Sequence, residues 1–245
     1  MFQFFVDADR IGKDTISIIG EDVNHIKNVL RMKPGTQVRI SNMEDKDYIC
    51  ELLELKDDEV IAKIVDVDEE GTELPSKVYL FQGLPKADKM ETVIQKNVEL
   101  GVYSIVPVSM KRCVVKLDAK KAKSKKERWQ KIAESAAKQS KRMIIPTVDE
   151  VKTLKEAVEF AKTLDVILLP YENASGMGKT KEIIGHIKPG QSVGIFIGPE
   201  GGFEDEEVSF LENAGAQVIS LGKRILRTET AGMALMAVLM YSLEN

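Results

Sequence analysis

A glycine-rich turn, Gly198-Pro199-Glu200-Gly201-Gly202-Phe203, is the stretch of this 245-residue chain whose residue types best suit binding of a small ligand. An apolar run at residues 193–197 precedes it and has the composition of a buried strand. Four carboxylates at residues 204–207 follow, as at the first turn of a helix. A strand, a tight turn and a helix in this order expose backbone N–H groups that a ligand can approach without meeting side chains. By itself, the turn is also compatible with a simple reversal of the chain.

Two further apolar segments end in loops that can enclose a pocket together with this turn. The first loop is Leu169-Pro170-Tyr171-Glu172, and the second runs from Leu221 to Thr230. Ligands of open α/β sheets bind beyond the carboxyl ends of the strands, so three such loops predict one shared site. In the loop that starts at Leu221, Ile225 and Leu226 suit a flat apolar ring.

The same loop carries polar residues that suit the other end of a ligand. Arg227 offers a planar fork of donors that matches phosphate, and Glu229 lies two residues further on. The alternative interpretation is a surface arginine that pairs with Glu229.

A competing phosphate-binding pattern is Ser175-Gly176-Met177-Gly178-Lys179-Thr180, which resembles the end of a P-loop. A complete P-loop has glycine five positions before Gly178, where this chain has Asn173. The neighbouring Glu172 would also repel phosphate. We therefore expect a flexible loop here, with nucleotide hydrolysis as the weaker alternative.

Composition indicates an ordinary soluble protein, with 43% hydrophobic and 30% charged residues. No apolar run approaches the roughly 18 residues of a membrane span, and the N-terminus has no signal-peptide pattern. We expect a cytoplasmic protein without a membrane partner. Two cysteines, Cys50 and Cys113, and two histidines fit no metal-binding spacing, so no metal site is expected and both cysteines are predicted to lie on strands.

Basic residues concentrate in one segment although the formal net charge is −4. Between Lys111 and Arg142 there are 13 lysines and arginines against three acidic residues. Such a segment is either a contact surface for nucleic-acid phosphates or a solvated helix face.

The periodicity of apolar residues predicts two domains. Residues 1–72 contain short strand-like runs and one helical stretch, which indicates a small, mostly antiparallel β-barrel. Residues 73–245 alternate strands with helices, which indicates an α/β domain with a parallel sheet. The charged stretch at residues 66–75, which includes Glu70, is typical of a linker. The helix near residues 230–243 is apolar on nearly every side and is expected to be buried in a core or a subunit interface.

With these segments in place, the chain resembles the RsmE-type ribosomal RNA methyltransferases of the SPOUT superfamily of knotted enzymes. The resemblance extends over nearly the whole chain and rests on these segments: Val29-Leu30-Arg31, Lys89-Met90-Glu91, Ile94-Gln95-Lys96, Glu99-Leu100-Gly101-Val102, Gln139-Ser140 with Arg142, the turn from Gly198 to Phe203, Leu221-Gly222, and Ile225 to Ala231. It implies an α/β methyltransferase domain with a C-terminal trefoil knot, preceded by a PUA-like β-barrel that helps to hold RNA. It also implies a homodimer that uses S-adenosylmethionine to methylate N3 of a uridine in 16S ribosomal RNA of the small subunit.

Two positions depart from the pattern of this family. Lys141 and Ala87 stand where the family usually has glycine. We expect these departures to affect the local backbone and not the function.

With S-adenosylmethionine as the cofactor, the three loops predict the site residues of this chain. The expected contacts to S-adenosylmethionine are Leu169, Glu172, Gly198, Pro199, Glu200, Gly201, Gly202, Leu221, Gly222, Ile225, Leu226 and Thr228. Adenine is expected against Leu221, Ile225 and Leu226, with the glycine turn around the ribose and methionine portion. The expected catalytic residues are Glu200 near the methyl group, Arg227, and Arg142 from the partner subunit. The alternatives are a non-catalytic RNA-binding protein and a P-loop nucleotidase.

Overall fold

The computed structural model describes residues 1–69, 71–174 and 176–244. Contacts between Cα atoms divide the chain into two compact units, one comprising Met1–Glu73 with Ala137–Ile145 and the other Leu74–Ala136 with Pro146–Asn245. The first unit thus includes a segment, Ala137–Ile145, that lies beyond the boundary placed after residue 72 on sequence grounds.

The first unit is built on a five-stranded sheet. Its strands are β1 (Phe2–Phe5), β2 (Thr15–Ile19), β3 (Gln37–Ser41), β4 (Asp47–Leu55) and β5 (Glu59–Asp68), in the spatial order β1-β3-β4-β5-β2. Neighbouring strands are antiparallel except β1 and β3, which run parallel. A helix, α1 (Glu21–Asn24), continues into a π-helical turn (His25–Val29). Val23 and Ile26 from this helical stretch join the core formed by the alternate, inward-facing strand residues.

The second unit is a seven-stranded parallel sheet with helices in the connections, as the alternating pattern predicts. Its strands are β6 (Val78–Gly83), β7 (Ser104–Ser109), β8 (Thr147–Val148), β9 (Lys152–Thr153), β10 (Val166–Pro170), β11 (Val193–Ile197) and β12 (Gln217–Ile219). Their order is β12-β10-β11-β6-β7-β8, and β9 also pairs with β7. The helices are α2 (Lys89–Glu99), α3 (Ala119–Ser140), α4 (Leu154–Ala161), α5 (Met177–His186), α6 (Asp205–Asn213) and α7 (Thr228–Leu243). The end of α3, from Ala137 onwards, belongs to the first unit.

The central strands β6, β7, β10 and β11 are almost fully buried, which explains their continuous apolar sequences. The predicted α/β class with a preceding β unit is confirmed, whereas the trefoil knot stays a prediction. Cys50 lies on β4, but Cys113 is buried in the turn after β7, so its predicted place on a strand is wrong. Glu70 of the predicted linker and Ser175 of the P-loop-like stretch lie outside the described residues.

The two positions that depart from the glycine pattern both keep a glycine-like backbone. Ala87 has φ 53° and Lys141 has φ 60°, in the left-handed region that disfavours residues with a Cβ. Lys141 follows the last residue of α3, and the Arg142 N–H donates to the Ala137 carbonyl at 3.0 Å. This is the Schellman arrangement that usually has glycine in the left-handed position. Both residues therefore adopt a backbone conformation that is strained for a residue with a Cβ and that glycine adopts without strain.

Candidate cofactor and active site

A cavity of about 410 Å³ lies at the carboxyl ends of β10, β11 and β12, wholly within the second unit. Residues from all three predicted loops line it, together with Lys89 at the start of α2. The parallel strands explain this convergence, because their carboxyl ends meet at one edge of the sheet. The volume is in the range of pockets for small organic ligands and cofactors.

Most of the predicted site residues line this cavity. They are Glu172, Gly198, Pro199, Glu200, Gly202, Leu221, Gly222, Ile225, Leu226, Arg227 and Thr228. Leu169 and Gly201 do not line it. Leu169 is fully buried in β10, and Gly201 turns its carbonyl towards Arg112, whose guanidinium donates to it at 2.9 Å.

Close backbone packing holds the glycine turn in place. A Cβ on Gly83, the last residue of β6, would lie 2.7 Å from both the backbone nitrogen and the Cδ of Pro199. A Cβ on Gly198 would lie 3.1 Å from the carbonyl carbon of Gly202. The Gly202 N–H donates to the Pro199 carbonyl at 2.9 Å, and Gly202 adopts φ 70°. Glycine is thus required here for a close approach of strands and for a tight turn.

A buried hydrogen-bond relay connects three elements around the cavity. Gln82, fully buried on β6, donates through Nε2 to the Thr228 hydroxyl at 2.8 Å. That hydroxyl in turn donates to the Gly198 carbonyl at 2.6 Å. The relay ties the start of α7 to the turn after β11, so the hydroxyl of Thr228 has a positioning role in addition to lining the cavity. Sequence reasoning did not identify Gln82, because its partner lies 146 residues away.

Glu200 is held by one cation and one backbone N–H donor. Its Oε1 accepts from the Lys86 N–H at 3.0 Å and pairs with the Lys89 Nζ at 3.0 Å. Burial would raise the pKa of Glu200, but these donors outweigh it and lower the pKa, so the group is a carboxylate and a weak base. Lys89 also approaches Glu229 at 3.5 Å, and its pKa is raised mainly by the hydrogen bond to Glu200.

Lys89 is the main site residue that sequence reasoning missed. It belongs to the Lys89-Met90-Glu91 segment that supported the family resemblance, which was the available signal. Its side chain lines the cavity between two carboxylates.

The loop before α7 presents three cations at the cavity, Lys223, Arg224 and Arg227. Within the described residues, the Arg227 side chain has neither an ion pair nor a hydrogen bond, and Glu229 pairs with Lys89 instead. The alternative interpretation of the sequence, in which Arg227 pairs with Glu229, is therefore wrong. Ile225 on the same loop lines the cavity and is 82% exposed, so most of its apolar surface is open to a ligand or to solvent.

The acidic residues after the turn are largely neutralised by neighbours. Arg112 pairs with Glu204 at 2.9 Å, and Lys111 pairs with Glu206. The hydrogen bond to Arg112 lowers the pKa of Glu204. Glu207 is buried and accepts from the Lys111 N–H at 2.8 Å. These carboxylates anchor the turn to the segment after β7, and their ion pairs reduce the net negative charge beside the cavity.

Arg142 lies in the first unit, not at this cavity. It is 3% exposed and forms a bidentate pair with Glu73, whose Oε1 also accepts from the Met143 N–H at 2.9 Å. Gln3 donates to the Arg142 carbonyl. Within its own chain, this arginine stabilises the first unit, and its catalytic role in a partner's site stays a prediction.

The P-loop-like stretch has a structural role where it is described. Thr180, which would bind Mg²⁺ in a true P-loop, is buried on α5, and its hydroxyl donates to the Ser220 carbonyl at 3.0 Å and accepts from the Ser220 N–H at 2.9 Å. Lys179 lines a separate cavity with Glu182 and His186. No cluster of three or more potential metal ligands occurs among residues 1–69, 71–174 and 176–244, and no helix in these ranges is long and apolar enough to cross a membrane.

Comparisons with known proteins agree with this architecture. A family model described as an RNA methyltransferase domain matches residues 72–240, and one described as an RNA methyltransferase PUA domain matches residues 18–65. The chain is 40% identical over 233 residues to ribosomal RNA small subunit methyltransferase E of Bacillus subtilis, covering 94% of this chain and 91% of that protein. It is 34% identical over 242 residues to the protein of the same name from Mesomycoplasma hyopneumoniae, covering 96% and 97%.

Solved structures give the same result. A methyltransferase from Legionella pneumophila in complex with S-adenosylmethionine superposes with a TM-score of 0.85 at 32% identity, covering 98% of this chain and 97% of that one. Ribosomal RNA small subunit methyltransferase E from Neisseria gonorrhoeae, bound to S-adenosylmethionine, gives a TM-score of 0.84 at 31% identity, with the same coverage. The chain therefore belongs to the RsmE-type family of ribosomal RNA methyltransferases, enzymes that use S-adenosylmethionine.

Proposed function

We propose that this protein methylates N3 of a uridine in 16S ribosomal RNA, with S-adenosylmethionine as the methyl donor and the small ribosomal subunit or its RNA as substrate. The observation that carries the proposal is the cavity at the carboxyl ends of β10, β11 and β12, which combines a glycine-cradled backbone, an apolar loop and a cationic end. A non-catalytic RNA-binding protein has no need of such a cavity.

The lining fits the shape and chemistry of the cofactor. Leu221, Ile225 and Leu226 supply apolar surface for the adenine ring. A Cβ at Gly198 would crowd the Gly202 backbone and the Phe203 ring, so glycine keeps this turn tight at the edge of the cavity where the ribose and methionine portion is expected. The hydrogen bonds of the Thr228 hydroxyl hold this turn against the start of α7. When bound, S-adenosylmethionine supplies a methyl group attached to a positively charged sulfur.

The cations at the cavity can act on the uridine base that accepts the methyl group. The methyl group moves from sulfur to the uridine nitrogen as the N3–H proton leaves, and negative charge develops on the carbonyl oxygens of the base. Arg227, whose side chain has no ion pair among the described residues, can stabilise this charge, which favours loss of the proton to solvent. Glu200, with its lowered pKa, orients Lys89 and provides a polar contact near the methyl group. A paired base must leave its helix to reach such a site.

We also propose that the protein acts as a homodimer in the cytoplasm, where its ribosomal substrate is located. Helix α7 buries one side, including Leu235, Met236 and Leu239, but leaves Val238 44% and Tyr241 75% exposed. An apolar helix with one uncovered face supports a subunit interface there. Arg142 would contribute to the partner's site only if its pair with Glu73 rearranged.

The test begins with the cofactor. Calorimetry should detect binding of S-adenosylmethionine to the wild-type protein but no binding of ATP with Mg²⁺. Transfer of labelled methyl groups to 16S ribosomal RNA and to small subunits, with mapping of the product base, then identifies the acceptor atom. Absence of heat with S-adenosylmethionine, or a product other than a N3-methylated uridine, would refute the proposal.

Arg227 provides the sharper test of the site. Arg227→Ala should lower kcat while leaving the affinity for S-adenosylmethionine and the unfolding transition unchanged. Arg227→Lys keeps the charge but loses the planar fork, so partial recovery separates the two contributions. Arg224→Ala, on the same exposed loop, is the matched control and should have a smaller effect on kcat. Full activity of Arg227→Ala would remove this residue from the mechanism.

A further inference from the structure

The charge of α3 is concentrated although the chain as a whole is acidic. Between Ala119 and Ala136, the part of α3 in the second unit, there are seven basic and two acidic residues, a net charge of +5 in a chain of net charge −4. Trp129, Ala133 and Ala136 are buried and fix one side of this helix against the unit. The opposite side is exposed.

Three lysines lie on that exposed side, and we call them the lysine stripe: Lys120, Lys123 and Lys131. Their spacing of three and eight residues places them on one helix face, within about 16 Å along the axis. Among the described residues, none of the three has an ion pair or a hydrogen bond through its ammonium group. In contrast, Lys126 on another side of α3 pairs with Glu150 at 2.8 Å.

The stripe lies on a helix that an ion pair joins to α2, the helix whose first residue lines the cavity. Arg128 of α3 donates through Nη2 to Glu91 of α2 at 2.9 Å. Glu91 is two residues from Lys89, which lines the cavity. An extended polyanion that places one base in the cavity can therefore continue along α3.

We propose that the lysine stripe binds the phosphate backbone of the substrate RNA and that Glu127, which lies within the stripe, weakens this contact. The inference rests on the proposed function, because it assumes an RNA substrate. Unpaired lysines on a face opposite the packing side match a phosphate backbone, whereas ion-paired lysines have less charge to offer. Three such contacts change the salt dependence of binding without any effect on base recognition.

The experiment measures the affinity of each variant for protein-free 16S ribosomal RNA and for small ribosomal subunits between 50 and 200 mM KCl. The stripe variant carries Lys120→Gln, Lys123→Gln and Lys131→Gln. The control variant has the same charge change at three ion-paired lysines of the second unit, and it carries Lys121→Gln, Lys126→Gln and Lys152→Gln.

The stripe variant should bind RNA more weakly than the control variant at low salt. For single-stranded RNA, each phosphate contact adds about 0.7 to the slope of log affinity against log salt concentration. Because the stripe variant lacks three such contacts, the affinity of the wild type should fall about 20-fold more than that of the stripe variant between 50 and 200 mM KCl. Glu127→Lys should strengthen binding, while binding of S-adenosylmethionine should stay unchanged in every variant.

Two results would overturn the inference. One is equal RNA affinity and equal salt dependence for the stripe and control variants. The other is loss of binding to subunits but not to protein-free RNA, since this outcome assigns the stripe to an acidic ribosomal protein. Methyl transfer by the wild-type protein is measured in a separate assay. If the wild type transfers no methyl group but still binds RNA through the stripe, the proposed function is refuted and this inference is supported.

Discussion

Gly83→Ala tests whether the cavity depends on close packing of two strand ends. Gly83 ends β6, and its neighbour Gln82 pairs with Ile197 at the end of β11. The new Cβ would lie 2.7 Å from the Pro199 backbone nitrogen and 3.0 Å from the Gly198 carbonyl carbon. Since an unstrained contact needs about 3.5–4.0 Å, the turn must move by about 1 Å.

The cost follows from what would have to move. The atoms in contact belong mainly to backbone, so no flexible side chain can swing aside, and overpacking of this kind costs about 1–3 kcal/mol. If the whole cost falls on the cofactor-binding geometry, the Kd for S-adenosylmethionine rises about 5- to 150-fold. Calorimetry gives the Kd, and urea unfolding shows how much of the cost appears as lost stability.

Gly232→Ala is the matched control. This glycine is buried in α7, but its added Cβ would lie 3.6 Å from the nearest atoms of Leu80, an ordinary contact. Alanine also favours the helix by about 0.5–1 kcal/mol, so this variant should be as stable as the wild type or more so. A Gly83→Ala protein with wild-type stability and wild-type cofactor affinity would refute the packing argument.

Further predictions concern individual groups. Lys141→Gly should raise the free energy of unfolding by about 1 kcal/mol, because it removes left-handed strain at the end of α3, and an unchanged urea midpoint would contradict this. Thr228→Val should cost about 1–3 kcal/mol by removing the donor to the Gly198 carbonyl, whereas Thr228→Ser should retain most of the stability in the same urea titration. The pKa of Glu200 is lowered in the folded protein, so its carboxylate stabilises the fold at pH values above the usual glutamate pKa of about 4.3. This stabilisation is lost as the pH falls through the lowered pKa of the folded state. The difference in stability between the wild type and Glu200→Gln should therefore shrink on acidification, and a difference that grows instead would disprove the sign. Burial raises the pKa of Cys50 to about 12, so iodoacetamide at pH 8 should label this thiol only after unfolding, as read by peptide mapping.

Local sequence patterns determined most of the secondary structure. Alternating apolar residues specified the strands of the first unit, and continuous apolar runs specified the buried strands β10 and β11, because burial on two faces leaves no polar position. The start of helix α5 at Met177 has no such signal, since Gly176 and Gly178 do not contribute to a periodic apolar pattern.

The family and the three cavity loops also followed from sequence, because each loop comes directly after an apolar strand. Rules for parallel sheets then predicted that the loops share one edge. What the sequence could not decide was which side chains pair across long separations. The Gln82–Thr228 bond and the Lys89–Glu200 pair join residues more than 100 positions apart.

Charge shows the same division between sequence and structure. The sequence by itself determined that α3 is basic, that the turn from Gly198 to Phe203 is rich in glycine and that carboxylates follow it. Only the tertiary structure decided which charges are available, since Arg142 is buried against Glu73 whereas Arg227 is exposed without a partner among the described residues. The physical reason is that composition fixes the number of charges, while packing decides whether each one meets a counter-ion or solvent.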